Sequence, residues 1–287
     1  MTVATMGQTD LRGENISKAV KGFALKNFKL KQVLLQQSSN KWTETFYRES
    51  AAELTANGNR DIANVARGAL FPQVDPSWTK LQGVHKKFAA QADVFLEDKL
   101  MDAIDVQARS ILRVARSIAN AVDDYIYAQL TGASGISTAA AQGTGWDADV
   151  ESTRKPISDI MTATQVLMES NYDALDNGFL LLTPHDYRAL MENSKVINNP
   201  SFKTADIVSN GVVGQIAGLN IIVSTSVDDD EAMIIIGNRA ATWKSAVSLT
   251  SAIEENKGIK FVIKSWEIGH VQVTDPAAIY VITDTQE

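Results

Sequence analysis

Cysteine is absent from the 287 residues. Its absence excludes disulfides, thiolate metal sites and a cysteine nucleophile, and leaves the redox compartment open. No apolar run reaches the roughly 18 residues that mark a membrane-spanning helix. The opening segment, MTVATMGQTD, lacks the basic-then-apolar order of a secretory leader. Histidine is scarce. His85, His185 and His270 are the only three and share no helical spacing. Zinc sites pair their ligands at short intervals, so surface or helix-start positions are expected for all three. TGASGIST at 131–138 has glycines, but no Lys-Ser/Thr follows and a helical pattern precedes it, so it is no phosphate loop. No G-x-S-x-G elbow occurs, and Ser38-Ser39-Asn40-Lys41 spells S-x-x-K without its companion motifs. The run Asp228-Asp229-Asp230-Glu231 lacks the alternation, glycine and distal glutamate of a calcium loop and reads as a solvated turn. No catalytic, cofactor-binding or metal-ligating residue is therefore assigned.

Glycine and proline are missing from one long stretch, about Leu96 to Leu130. Its apolar residues fall at Leu96, Leu100, Ile104, Ala108, Ile111, Ala115, Ile118, Val122, Ile126 and Leu130, in steps of three or four, the period of one helix face. Asp93 is the expected N-cap, Glu97 and Asp98 suit the first turn, and Gly132 ends the helix. At 1.5 Å per residue such a helix is about 52 Å long, a strut whose single apolar stripe needs something long to lie against. Its carboxylates, Asp98, Asp102, Asp105, Asp123 and Asp124, read as a solvated face or an intersubunit charge contact. General acid–base work would need a cleft that perturbs them.

Charge is short of positive sign overall, at −7, but unevenly so. Residues 1–41 carry seven basic and two acidic side chains, a balance of +5, which leaves −12 for the rest. A basic arm on an acidic body can touch nucleic acid or an acidic partner surface. A sequence-reading nucleic-acid binder would show a denser basic patch with aromatics among it.

The remainder reads as α+β. Residues 41–54 begin with strand-like alternation and aromatic content, 55–79 form a long tip with Gly58, Gly68, Pro72 and Pro76, and 80–94 return as a strand. The small, polar residues 131–149 read as a flexible loop. Pro156 opens a helix to about Ser170. FLLLT (179–183) is a buried strand, Thr183-Pro184 caps a short helix, and 194–218 is an irregular connection. LNIIVS (219–224), AMIIIG (232–237), and the runs 243–252, 259–273 and 278–283 are strands.

The order of these elements carries a resemblance. VARSIANAVDDYIYAQLTG (114–132), FLLLTPHDYRALMENS (179–194), GQIAGLNIIVSTSV (214–227), AMIIIGNRAATWK (232–244) and HVQVTDPAAIYVIT (270–283) resemble, in that order, recurring phrases of the tailed-virus major capsid proteins of the Hong Kong 97-type fold. The resemblance implies an N-terminal arm (1–40), an extended β-hairpin loop (41–94), a peripheral domain with a long spine helix (95–149 and 256–287) and an axial domain (150–255). It leaves open which domain takes the last strand.

It implies self-assembly, as pentamers and hexamers, into the icosahedral shell of a virion that encloses packaged double-stranded DNA by non-specific contact. It also implies assembly in the host cytoplasm with a scaffolding protein and portal, room for a decoration protein, no membrane, no cofactor and no enzymatic role. No large extra domain precedes the arm in this sequence, so scaffolding, if any, is expected from a separate protein or from a segment outside it. Some members cross-link a loop lysine, and Lys80, Lys86 and Lys87 lie in that region without a mark of reactivity. Two other readings remain: an encapsulin-type nanocompartment shell, and a soluble α/β enzyme with an accessory hairpin. The arm can face DNA or the acidic side of a neighbour's spine helix at Asp98, Asp102 and Asp105. Its apolar anchors favour the neighbour.

Overall fold

The computed structural model describes residues 18–20, 22, 28–49, 65–70, 78–100, 106–197, 212–256 and 258–287. Twelve strands among them make three sheets. The first is a two-stranded ribbon of β2 (Thr43–Glu49) and β3 (Trp78–Val84), antiparallel from Thr43 opposite Val84 to Glu49 opposite Trp78. The second has the order β1 (Leu35–Ser38), β10 (Ala241–Asn256), β11 (Lys260–Val273), β4 (Lys86–Phe95). In the third the order is β5 (Ser137–Ala140), β12 (Ile279–Thr283), β9 (Glu231–Ile236), β6 (Gly178–Leu182), β8 (Leu219–Val223), β7 (Val212–Ile216).

In the six-stranded sheet the apolar runs of β6, β8 and β9 are almost wholly buried, which is why they read as continuous hydrophobic stretches and not as alternation. Ala217-Gly218 joins β7 to β8 with φ of 53° and 83°, the two-residue geometry that matches strand twist. Helices α3 (Pro156–Glu169), α4 (Ala174–Asn177) and α5 (Pro184–Glu192) pack on β12, β8 and β6 respectively. Pro156 takes the first position of α3. Thr183 caps α5: its hydroxyl oxygen accepts from the Asp186 N–H at 3.0 Å and donates to Asp186 Oδ2 at 2.9 Å.

Of the expected strut, the described parts are α1 (Leu96–Leu100) and α2 (Val106–Thr131), with 101–105 and hence Ile104, Asp102 and Asp105 outside the described residues. Helix α2 alone is about 39 Å long. It buries Ile111, Val114, Ala115, Ile118, Ala119, Val122, Ile126, Tyr127 and Leu130 and lies against β4 and β11, so its partner is the predicted late strand together with β4. It ends at Thr131, where the Gly132 N–H donates to the Ala128 carbonyl at 3.1 Å. The stripe fails at its start: Leu100 is 76% exposed and Ala108 is exposed.

Several expectations are corrected. Asp93 is no N-cap. It sits in β4 opposite Val262 and pairs with Lys260 at 2.5 Å, because the chain passes from strand to helix with no turn between. Residues 80–94 are two strands, broken at His85, where β3 leaves the ribbon and β4 joins β11. The flexible loop expected at 131–149 contains β5, paired parallel with β12, and the fully buried Trp146. The expected division at 255/256 falls at the end of β10. Strand β10 lies with β11 in the four-stranded sheet, and the last strand, β12, lies in the six-stranded one.

The arm expected over 1–40 meets the body well before its end. Val20, Phe28, Leu30, Val33 and Leu34 are buried in the main core, and β1 pairs parallel with β10. Their pattern was too short to show this, since a 3-10 turn (Leu30–Gln32) separates the apolar residues from a four-residue strand.

Candidate assembly surfaces

The N-terminal segment is held by two buried charges. Asp123, on the inner side of α2, accepts the Lys29 N–H at 2.8 Å, and the N–H groups of Leu30 and Lys31 face the same carboxylate. Burial raises its pKa to about 6 against the lowering effect of those N–H groups. The solvated position expected for Asp123 is thus corrected. An acid in the apolar stripe is tolerated because it caps the 3-10 turn. The second charge is Glu267, fully buried in β11 and paired with Lys31, whose ammonium also lies 4.5 Å from the Phe28 ring and 5.1 Å from the Trp243 ring. A cavity of about 350 Å³ opens beside this pair, lined among others by Phe28, Trp243, Leu249 and Glu267.

The ribbon is fastened to the body along β2. Glu44 accepts from the Ser39 hydroxyl and, at 3.0 Å, from Gln272 Nε2, and the Ser39 hydrogen bond is the largest cause holding its pKa below the usual carboxylate value. Arg48 donates through Nε to the Val273 carbonyl at 3.1 Å and through Nη1 to Ser134 Oγ at 3.2 Å. Under the base, His85 and His270 meet edge to face with ring centroids 6.3 Å apart. Tyr125 of α2 places its hydroxyl 2.8 Å from His270 Nδ1. Both histidines are buried, which corrects the expected surface positions. Strand pairing brings together residues 185 positions apart, and nothing in their local sequence signals it. His185 does stand at a helix start, in the first turn of α5, 3.7 Å from Asp147.

The ribbon and the residue that precedes it carry exposed aromatic side chains. Trp42 and Trp78 are each 58% exposed and Tyr47 is 55% exposed, with the Tyr47 and Trp78 rings 6.2 Å apart on one face. A second exposed apolar group, Phe95, Leu100 and Ile259, marks the far end of the four-stranded sheet. A third, Met161, Met168 and Leu175, lies on α3 and α4 beside the six-stranded sheet. The outer face of α2 carries Arg109, Arg113, Arg116 and Asp124; of the expected acidic group Asp98 is exposed on α1, and Asp102 and Asp105 lie outside the described residues. Lys80, Lys86 and Lys87 are exposed, Lys86 with its ammonium 4.5 Å from the Tyr125 ring.

The other buried carboxylates are engaged internally. Asp159 accepts from Trp146 Nε1 at 2.8 Å and the Gln142 N–H at 3.1 Å, and Asp186 accepts from Thr183 and Gln286. Burial is the main cause raising both pKa values. In the acidic turn, Asp228 and Asp229 are exposed, as expected. Asp230 accepts the Gln286 N–H at 2.7 Å and Glu231 accepts from the Tyr127 hydroxyl at 2.6 Å, so half of the turn is structural. No group of three His, Asp or Glu side chains suited to a metal ion occurs among the described residues.

A plate of two sheets, a projecting ribbon, and apolar residues left bare at the extremities describe a structural protein that works by contact with other chains. The chain belongs to the phage capsid protein family, whose model matches residues 86–282, and is a major capsid shell protein. No curated protein matches its sequence. The fold is similar to that of the cyanophage P-SCSP1u capsid (TM-score 0.66, 12% identity, 89% of this chain and 88% of that one). It is also similar to the virus-like particle from Pyrococcus furiosus (TM-score 0.64, 16% identity, 94% and 98%). A third similar structure is the mature capsid of bacteriophage PhiM1 (TM-score 0.61, 12% identity, 89% and 86%).

Proposed function

We propose that this subunit assembles, as pentamers and hexamers, into a closed icosahedral shell of the Hong Kong 97 type that encloses packaged double-stranded DNA. The observation that carries the proposal is the ribbon. Two strands with exposed Trp42, Tyr47 and Trp78 gain little by standing free and much by lying across another subunit. In this reading the ribbon is the extended loop, the four-stranded sheet with α2 is the peripheral domain, and the six-stranded sheet with α3 and α5 is the axial domain. The boundaries between them follow the sheets at 237–240 and 274–278. The role is structural, without a reaction or a cofactor. Assembly takes place in the host cytoplasm with a scaffolding protein and a portal, and the finished shell has room for a decoration protein.

The basic N-terminal residues offer non-specific counter-charge to DNA or to a neighbour. Because 28–38 already pack on their own body, that contact falls to the residues before them. A nanocompartment shell is the second reading, favoured by the likeness to the Pyrococcus furiosus particle. The test is to express the chain with and without viral partners, size it, and image it by negative stain. Closed shells or ring-shaped capsomers are expected, and a persistent monomer under all conditions would overturn both readings.

A further inference from the structure

The root of the ribbon contains three buried nitrogens without a partner: both ring nitrogens of His85, and Nε2 of His270. Buried polar groups are nearly always hydrogen-bonded, and leaving one bare is unfavourable. Here three occur in one contact between a projecting element and the body.

We propose that His85 and His270 form a latch that holds the β2–β3 ribbon against the body while both rings are neutral and releases it when they take up protons. The geometry is one of close fit. Gly83 of β3 lies flat on the His270 ring, so close that a Cβ at that position would overlap the imidazole. Phe46 of β2 faces the same ring at 6.3 Å, and Tyr125 of α2 holds Nδ1 from beneath. No space for a water or a counter-ion remains between β3 and Nε2.

The charged groups around the pair do not compensate a proton. Glu44 of β2 is the one carboxylate that favours the charged rings, and both of its oxygens are already hydrogen-bonded, to Ser39 and Gln272. Lys244 of β10 opposes charge on His85, and Lys86 of β4 opposes it on His270. Each histidine would also oppose charge on the other. Burial is the largest cause in both, and with the neighbouring charges it lowers His270 to about 4.

The latch is a property of the single subunit and does not depend on the shell reading. If the detached ribbon leaves His270 at its ordinary 6.5, linkage makes ribbon opening about 70-fold more frequent at pH 4.5 than at pH 7.5 from this ring alone.

The test is hydrogen exchange on the full-length, unassembled chain, corrected for the intrinsic pH dependence of exchange. Protection of amides in Thr43–Glu49 and Trp78–Val84 is expected to fall by that factor between pH 7.5 and 4.5. Protection in β6 and β9 should hold, and the H85Q/H270N variant should show no such fall. Ribbon protection that stays constant in the unsubstituted chain overturns the proposal, as does a fall of the same size in the variant. Should the variant not fold, the ring resonances of the unsubstituted chain decide. Titration of both rings near 6.5 with the ribbon still protected overturns the latch. Titration displaced downward, in step with loss of ribbon protection, supports it.

Discussion

Gly83 lies against the imidazole of His270 with no room for a side chain between them. Replacing Gly83 with Ala is therefore an overpacking change at a place where ribbon and body interlock. We expect a loss of about 1–3 kcal/mol, expressed as early proteolysis at the ribbon before global unfolding. Limited proteolysis followed over a denaturant series checks it. A Gly83→Ala chain cut no faster than the parent would show that the Glu44 and Arg48 contacts suffice to hold the ribbon.

Two buried acid–base groups act on stability in opposite directions. Asp123 is raised from 3.8 to about 6, so its contribution is full below 3.8 and is lost as pH rises through 6. His270 is depressed from 6.5 to about 4, so its contribution is full above 6.5 and is lost as pH falls to 4. Each amounts to roughly 3 kcal/mol at most, and across pH 4–6 they offset one another. Asp123→Asn should therefore steepen acid destabilisation, and His270→Asn should flatten it. Urea midpoints measured from pH 4 to 7 check both signs.

Lys31 neutralises a glutamate with no access to solvent. Lys31→Ala leaves Glu267 charged and unpaired, and a loss of about 3–5 kcal/mol is expected. The double variant Lys31→Ala/Glu267→Gln should recover much of it. Chemical denaturation of the three proteins makes the comparison. Equal losses in single and double variants would mean that packing of the lysine stem, and not its charge, is what matters.

Ile118 faces β4 and β11 from the centre of α2 and is 1% exposed. Ile118→Asp is expected to abolish folding of the subunit, whereas Ile118→Ala should cost about 2–5 kcal/mol and leave a folded chain. Circular dichroism with thermal melting separates the two outcomes.

Truncation tests where the arm begins. Removing residues 1–40 takes away Phe28, Leu30, Val33, Leu34 and strand β1, so a large loss of stability is expected. Removing 1–17 takes none of these and should leave the denaturation midpoint in place.

These outcomes follow the division between what was legible in the chain and what was not. The stripe from Ile111 to Leu130, the caps at Pro156 and Thr183, and the apolar strands β6, β8 and β9 were readable because each depends on periodicity or on a local hydrogen bond. Leu100 broke the stripe because exposure depends on which neighbours arrive, and it is left 76% exposed. Asp123 looked like surface until the Lys29 N–H reached it from 94 residues away. Strand β5 is written in Ser, Thr and Ala, and only its partner β12 makes it a strand. The histidine pair was invisible for the same reason, since strand register decides which side chains meet.

The chain passes between its two large sheets three times, once from β4 through α1 and α2 to β5 and twice side by side at one narrow place. Strand β9 leads through 237–240 into β10, and β11 leads through 274–278 into β12, the two connections joined by the Thr274 and Asp275 N–H groups on the Ala240 carbonyl. Asp275 fixes them further, accepting from the Tyr172 hydroxyl at 2.6 Å and from Arg239 at 3.0 Å. Two tied connections of this kind, beside the single helical crossing, bend more readily across their thin direction than they shear along their width. In the closed shell proposed above, curvature would then be taken up as a change of angle between two stiff plates, with the hydrogen-bond ladders inside each plate left intact.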